Sequence, residues 1–251
     1  MLVRLPPEFY TVGGRDSAMA STAVIAGLGP GFCEEFAWTL AREGHPVGLF
    51  ARSGDYLETF ATELRKEGHE AHAVPTDLTD PAAVTEGVAE VRDELGRVGV
   101  LAHTASATTS APDDQLDPDR VEEMWRLYAH AGLCCFREVV DDLQEEGGTA
   151  LFFGASPRGG DVAFKSGKDA TRGLARALAD EYGSRGVHVA HVVIDGIMLN
   201  PDVRESLDEV DEPEYIDPAA AAETCYHLVD QPARARTFEL DLHATERTVT
   251  H

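Results

Sequence analysis

Short apolar runs alternate along this chain with longer stretches in which apolar residues recur every three or four positions. Residues 22–26 are a continuous apolar run, and 34–40 follow with helical spacing. The same alternation predicts strands at 46–51, 71–74, 98–101, 149–153, 187–194 and 235–242. Helices are predicted at 57–67, 80–95, 120–144, 161–184 and 217–229. Breakers agree with these limits: Gly68 closes one helix, Asp80-Pro81 opens the next, Gly96 ends it, and Gly147-Gly148 stops the long one. The run at 187–194 has almost no polar alternation, as expected of a parallel strand covered on both faces. No repeat and no linker interrupts the order. The pattern therefore predicts an α/β fold: a single doubly wound domain at 21–251, with a parallel sheet of about seven strands. Residues 1–20 lack periodicity, carry Pro6, Pro7, Gly13 and Gly14, and are expected to be a loose N-terminal arm. Two polar connections, 107–119 and 201–215, are long enough to shape a ligand site.

At 251 residues, one such domain buries a full core. No run approaches the ~20 apolar residues of a membrane span, and residues 1–15 hold no apolar signal segment. Four cysteines without a C-x-x-C spacing (Cys33, Cys134, Cys135, Cys225) read as reduced thiols, and so as a cytoplasmic protein. Ten histidines without metal-ligand spacing predict no metal site.

Charge changes the picture more. Asp and Glu number 45 against 21 Lys and Arg, a net charge of −24, and only three of the cations are lysines: Lys66, Lys165 and Lys168. Repulsion disfavours nucleic acid as a partner. The acids are spread along the chain, as on a halophilic surface adapted to strong salt, where the Debye length shrinks to roughly 3 Å at 1 M. The melting temperature should therefore rise with KCl; a melting curve indifferent to KCl contradicts that expectation.

The candidate chemistry begins at Gly27, Gly29 and Gly31, between the first strand and the first helix. A glycine turn there offers backbone N–H groups and a helix N-terminus to a phosphate. Phe32 breaks the spacing G-x-G-x-x-G. The spacing G-x-x-x-G-x-G fits through Gly27 and Gly31, with Cys33 in the last place.

That loop resembles the nucleotide loop of the short-chain dehydrogenase/reductase family. So do Asp77-Leu78 after the third strand, His103-Thr104-Ala105-Ser106 as a substituted fourth-strand motif, and Lys168 with the helix and strand that follow it. The resemblance runs from Ser21 to Leu242. It implies a Rossmann-type fold and an oxidoreductase using a nicotinamide cofactor. It also implies a small-molecule substrate and a homodimer or homotetramer formed through the long helices at 120–144 and 162–184. For the cofactor it implies contacts from Gly27, Gly29, Gly31, Phe32, Arg52, Ser53, Asp77, Leu78, Ala105, Lys168, Gly196 and Met198. The second strand ends Ala51-Arg52. An acid there would repel a 2′-phosphate, whereas Arg makes charge-assisted contacts with one. NADP is favoured over NAD.

The family's chemistry pairs a Tyr with a Lys one helical turn on. Lys168 is present here, but Phe164 stands in the Tyr place, and a phenyl ring carries no transferable proton. The relay Asn falls on Ala129, and the catalytic Ser on Ala155 or Ser156. Candidate catalytic residues are Lys168, Ser156 and Tyr128, with His103 and His130 as further donors. Three readings stay open. One is a carbonyl reductase with a substitute donor. Another is a reductase of conjugated C=C bonds, in which other donors hold the enolate. The last is a non-catalytic NADP(H)-binding sensor or scaffold.

Overall fold

The computed structural model describes residues 20–107, 116–156, 160–205 and 215–245. Almost all of the expected N-terminal arm, residues 108–115 of the first long connection and 206–214 of the second lie outside these.

The strands are β1 (Thr22–Ala26), β2 (Val47–Ala51), β3 (Ala71–Pro75), β4 (Val98–His103), β5 (Thr149–Ala155), β6 (His188–Asp195), β7 (Ile197–Met198), β8 (Tyr215–Ile216) and β9 (Glu239–His243). The helices are α1 (Phe32–Arg42), α2 (Gly54–Lys66), α3 (Pro81–Leu95), α4 (Pro118–Trp125), α5 (Ala131–Glu146), α6 (Val162–Tyr182), α7 (Pro201–Glu205) and α8 (Pro218–Val229). Among the described residues, seven strands form one parallel sheet in the order β3-β2-β1-β4-β5-β6-β9. The two-residue β7 and β8 pair apart from it.

Period-two alternation in the strands sends side chains into two apolar layers. Ala23, Ile25 and Leu49 join Phe36 and Leu40 of α1, Leu57 and Leu64 of α2, and Cys225 and Leu228 of α8. On the other face, Val24, Phe50 and Leu101 meet Val88 and Val91 of α3, Phe136 and Val139 of α5, and Leu178 of α6. β1 is buried along its whole length, and strand order reverses between β1 and β4. In an open parallel sheet the crevice for a ligand lies at that point, beyond the carboxyl ends of the strands.

Helix starts follow local chemistry. The Asp80 side chain accepts from Ala82 N ahead of Pro81, and Asp217 accepts from Ala220 N ahead of Pro218. The first helix begins two residues before the periodic stretch, at Phe32. The Glu34 carboxylate accepts from Gly31 N at 2.9 Å, and Gly31 O accepts from Glu35 N at 3.0 Å, so the first turn closes on the glycine. The long helix is two helices joined by a π turn, Arg126–His130, a feature concentrated at functional sites. The last strand begins at Glu239 instead of Ala235. Gln231 holds Thr237 by its backbone N–H (2.6 Å) and its hydroxyl (2.9 Å), which bends 231–237 into a loop.

Candidate functional site

A cleft of about 1230 Å³ opens along the carboxyl ends of β1, β2, β4 and β5. The turn after β1 forms one wall. Gly27 sits at φ 114°, and a Cβ there would lie 2.6 Å from Ala105 N and 2.7 Å from its Cα. Only glycine lets the turn and the end of β4 come so close. Gly29 has nothing within 4 Å of a Cβ and faces open space, so a ligand can lie against its backbone. Gly31, at φ 87°, turns its bare Cα toward Asn200, and a side chain there would collide with Asn200 Oδ1. Phe32 starts α1 and its ring packs on Phe153, centroids 5.1 Å apart.

Cys33 lines the cleft one residue into α1. Burial pushes its thiol pKa up, against hydrogen bonds from the Thr104 side chain and the Gly29 backbone. It is a neutral thiol, and nothing marks it as a nucleophile.

Arg52, Ser53, Asp77 and Leu78 gather at the far end, past β2 and β3. Leu78 is buried on the cleft floor. Asp77 is exposed, and its Oδ1 accepts from the Thr79 N–H at 2.9 Å and its hydroxyl at 2.7 Å. Those bonds hold its pKa below the usual carboxylate value, with Arg52 adding a smaller pull.

The near end centres on Lys168 of α6. It is buried, and Nζ donates to Ala105 O at 3.3 Å and Phe153 O at 3.2 Å. Nζ also lies 4.1 Å from the centroid of the Tyr128 ring, a cation–π contact. Desolvation lowers its pKa to about 8. Phe164, one turn before Lys168, lines the cleft and meets Tyr128 edge-on, centroids 5.8 Å apart. The Asp161 side chain caps α6 by accepting from Phe164 N at 2.7 Å, and it accepts from Arg120 Nε at 2.8 Å.

The other candidates fall in different places. Tyr128, in the π turn, is buried behind the cleft wall, and its oxygen accepts from Ala107 N at 3.3 Å. Ala155 lines the cleft, whereas Ser156 is buried beside it with its N–H on Ile194 O. His103 packs against Gly132 and Phe152 under the sheet. It is buried and does not line the cleft, and burial lowers its pKa to about 3, so the imidazole is neutral. His130 points outward beside Cys134. Gly196 lines the cleft. Met198 is held by the β7–β8 pair and packs into the layer under α1 and α8.

Sequence reasoning missed Asn200. Its amide reaches the glycine loop from the far end of the chain, and its Oδ1 is buried without a partner. The only signal was its place, four residues after Gly196 and just before Pro201. Among the described residues no cluster of His, Cys, Asp or Glu is placed to hold a metal, and no helix is long and apolar enough to cross a membrane.

The family model described as short chain dehydrogenase matches residues 21–209. The chain belongs to the short-chain dehydrogenase family. Its family is one of oxidoreductases, and the relatives carry that description. It is 26% identical over 193 residues to the oxidoreductase YxjF of Bacillus subtilis, covering 75% of each chain. Among solved structures, an alcohol dehydrogenase from the archaeon Thermococcus sibiricus, complexed with 5-hydroxy-NADP, superposes at a TM-score of 0.80. Identity there is 24%, over 92% of this chain and 100% of that one. A short-chain oxidoreductase from Pseudomonas aeruginosa, described as containing an atypical catalytic centre, superposes at 0.82 with 19% identity, over 92% of this chain and 98% of that one. At these identities the two structures speak for the fold.

The residues present fit a dinucleotide. Gly29 leaves the loop backbone bare, α1 points its N-terminus at the cleft, and Lys168 keeps a cation on the floor.

Proposed function

We propose that this chain is an NADP(H)-dependent oxidoreductase that reduces a carbonyl or a conjugated enoyl group at an atypical catalytic centre. The observation that carries this reading is Lys168. An ammonium is kept buried on the cleft floor, between two backbone carbonyls and an aromatic face, although burial opposes its charge. The loop from Gly27 to Cys33 would hold the pyrophosphate. Asp77 and Leu78 would hold the adenine, Arg52 and Ser53 the 2′-phosphate, and Lys168 with Ala105 and Gly196 the nicotinamide ribose. When bound, the cofactor supplies the hydride.

Asp119, Glu122, Glu123 and Arg126 line the near end, where the substrate would lie. Three acids to one base there disfavour an anionic substrate such as a CoA thioester. The exposed apolar side chains Trp125, Leu133 and Val162 sit on α4, α5 and α6. They support a homodimer or homotetramer formed through those helices.

The cofactor preference has its own test. Arg52→Ala should weaken NADPH binding about tenfold, the worth of one charge-assisted contact, and leave NADH binding nearly unchanged. Equal losses for the two nucleotides would remove Arg52 from the phosphate subsite. The activity itself is tested by following NADPH oxidation with neutral diketones and enones. A protein that binds NADPH and reduces none of them fits the sensor reading instead.

A further inference from the structure

We propose that Ser106 and Tyr128 form the proton relay of this centre. Ser106 meets the substrate oxygen, and Tyr128, on a different helix from Phe164, resupplies the proton. The inference rests on the reductase reading above and names the groups that would complete it.

Ser106 is exposed and lines the cleft immediately after Ala105, whose carbonyl holds Lys168. Tyr128 reaches the same place from behind. Its oxygen accepts from Ala107 N at 3.3 Å, which brings the phenol to the residue beside Ser106, where the Ser106 hydroxyl can stabilise a phenolate. The Ala107 N–H can only donate, so it occupies one lone pair of the phenol oxygen and leaves the phenol proton available for transfer to Ser106 Oγ. Tyr128 is 1% exposed and cannot touch a substrate itself. Ser106 can. The charged groups around the phenol are Lys168 of α6 on its ring face, Arg120 of α4, and Asp161 at the start of α6. The two cations favour a phenolate; Asp161 and burial oppose it.

In the reductive direction a bound nicotinamide cofactor would supply a hydride to the carbonyl carbon, so that the C=O π pair moves onto oxygen. That oxygen takes the Ser106 proton as Ser106 Oγ takes the Tyr128 proton. The phenolate left behind lies beside Lys168. Water returns a proton to it through Ser106 once product has gone. For an enone the hydride goes to the β-carbon and the enolate oxygen takes the same proton.

The test uses Tyr128→Phe, which keeps the ring under Lys168, and Ser106→Ala at an exposed position. NADPH is the cofactor; 2,3-butanedione and 2-cyclohexen-1-one are the reporters. Each variant should bind NADPH as the wild type does and lose about 100-fold in kcat, within the range for general acid catalysis. In the protein without cofactor, the phenolate absorbance missing from Tyr128→Phe should appear at higher pH in Ser106→Ala, because a hydrogen bond to the phenolate has gone. Wild-type kcat in either variant overturns the relay, as does an unshifted phenol titration. Wild-type protein that binds NADPH and reduces neither reporter also overturns it, and leaves the binding reading standing. No NADPH binding at all brings down the cofactor reading and the relay with it.

Discussion

Lys168→Met should remain folded, melt no lower than the wild type at neutral pH, and bind NADPH about 100-fold more weakly. That factor corresponds to one or two charge-assisted hydrogen bonds. The stability half follows from burial. The lysine pKa falls from 10.5 to about 8 on folding, because the ammonium is desolvated. At about 1.4 kcal/mol per pKa unit, the buried charge costs the fold roughly 3 kcal/mol. The sign is that of a depressed amine. Between pH 8 and 10.5 the unfolded chain holds more protons than the folded one, so wild-type stability rises with pH across that window. The penalty is in full force below it. Met fills a similar length without a charge, and the released carbonyls of Ala105 and Phe153 border an open cleft where water can donate to them. The stability gap between variant and wild type should therefore narrow as pH approaches 10.5. A variant that melts far below the wild type would show that Lys168 supports the fold. A variant that binds NADPH normally would remove it from the site. Thermal melts over a pH series, with a binding isotherm beside each, separate the two.

The second large effect is on the fold. Gly27→Ala places a methyl group 2.6 Å from Ala105 N and 3.1 Å from Thr104 C, at φ 114°. The colliding atoms are backbone, held in place by Thr104 N donating to Ala26 O at 3.0 Å, so no side chain can swing aside. Left-handed strain costs roughly 1–2 kcal/mol and overpacking roughly 1–3. For a chain of this size about 3 kcal/mol lowers Tm by roughly 10 °C. Gly29→Ala is the contrast. Its methyl meets nothing within 4 Å, so Tm should hold while NADPH affinity drops, because the methyl enters the space where the phosphate lies against the loop. Calorimetry and cofactor titration on the pair separate a glycine needed by the backbone from one needed by the ligand. If both variants melted like the wild type, the close approach of β1 and β4 would be wrong.

What the sequence could show depended on range. The sheet was legible because each strand carries its own signal. The unbroken apolar run at 187–194 became β6, and Asp80-Pro81 and Asp217-Pro218 capped the helices they announce. The cleft wall from Gly27 to Cys33 was legible for the same reason, since turn and helix start are local. The π turn at Arg126–His130 was not. Its residues keep ordinary helical spacing, and Tyr128 within it packs against Phe164 and Gly167 of α6, contacts that no local pattern shows. The resemblance leaves the catalytic Ser on Ala155 or Ser156, because the loop before Phe164 is shortened. In the structure Ala155 lines the cleft and Ser156 lies buried beside it, while Met198 pairs with β8 and packs, partly buried, against the layer of α1 and α8. Asn200 against Gly31, and Tyr128 under Lys168, are contacts between residues 169 and 40 positions apart, which no local pattern encodes.

The most direct test of the central claim is a titration of the wild-type protein with NADPH, followed by nicotinamide fluorescence, with NADH in parallel. The account predicts saturable binding of NADPH, one per chain, about tenfold or more tighter than NADH, the margin expected of a single arginine–phosphate contact. Absence of binding by either nucleotide would contradict it.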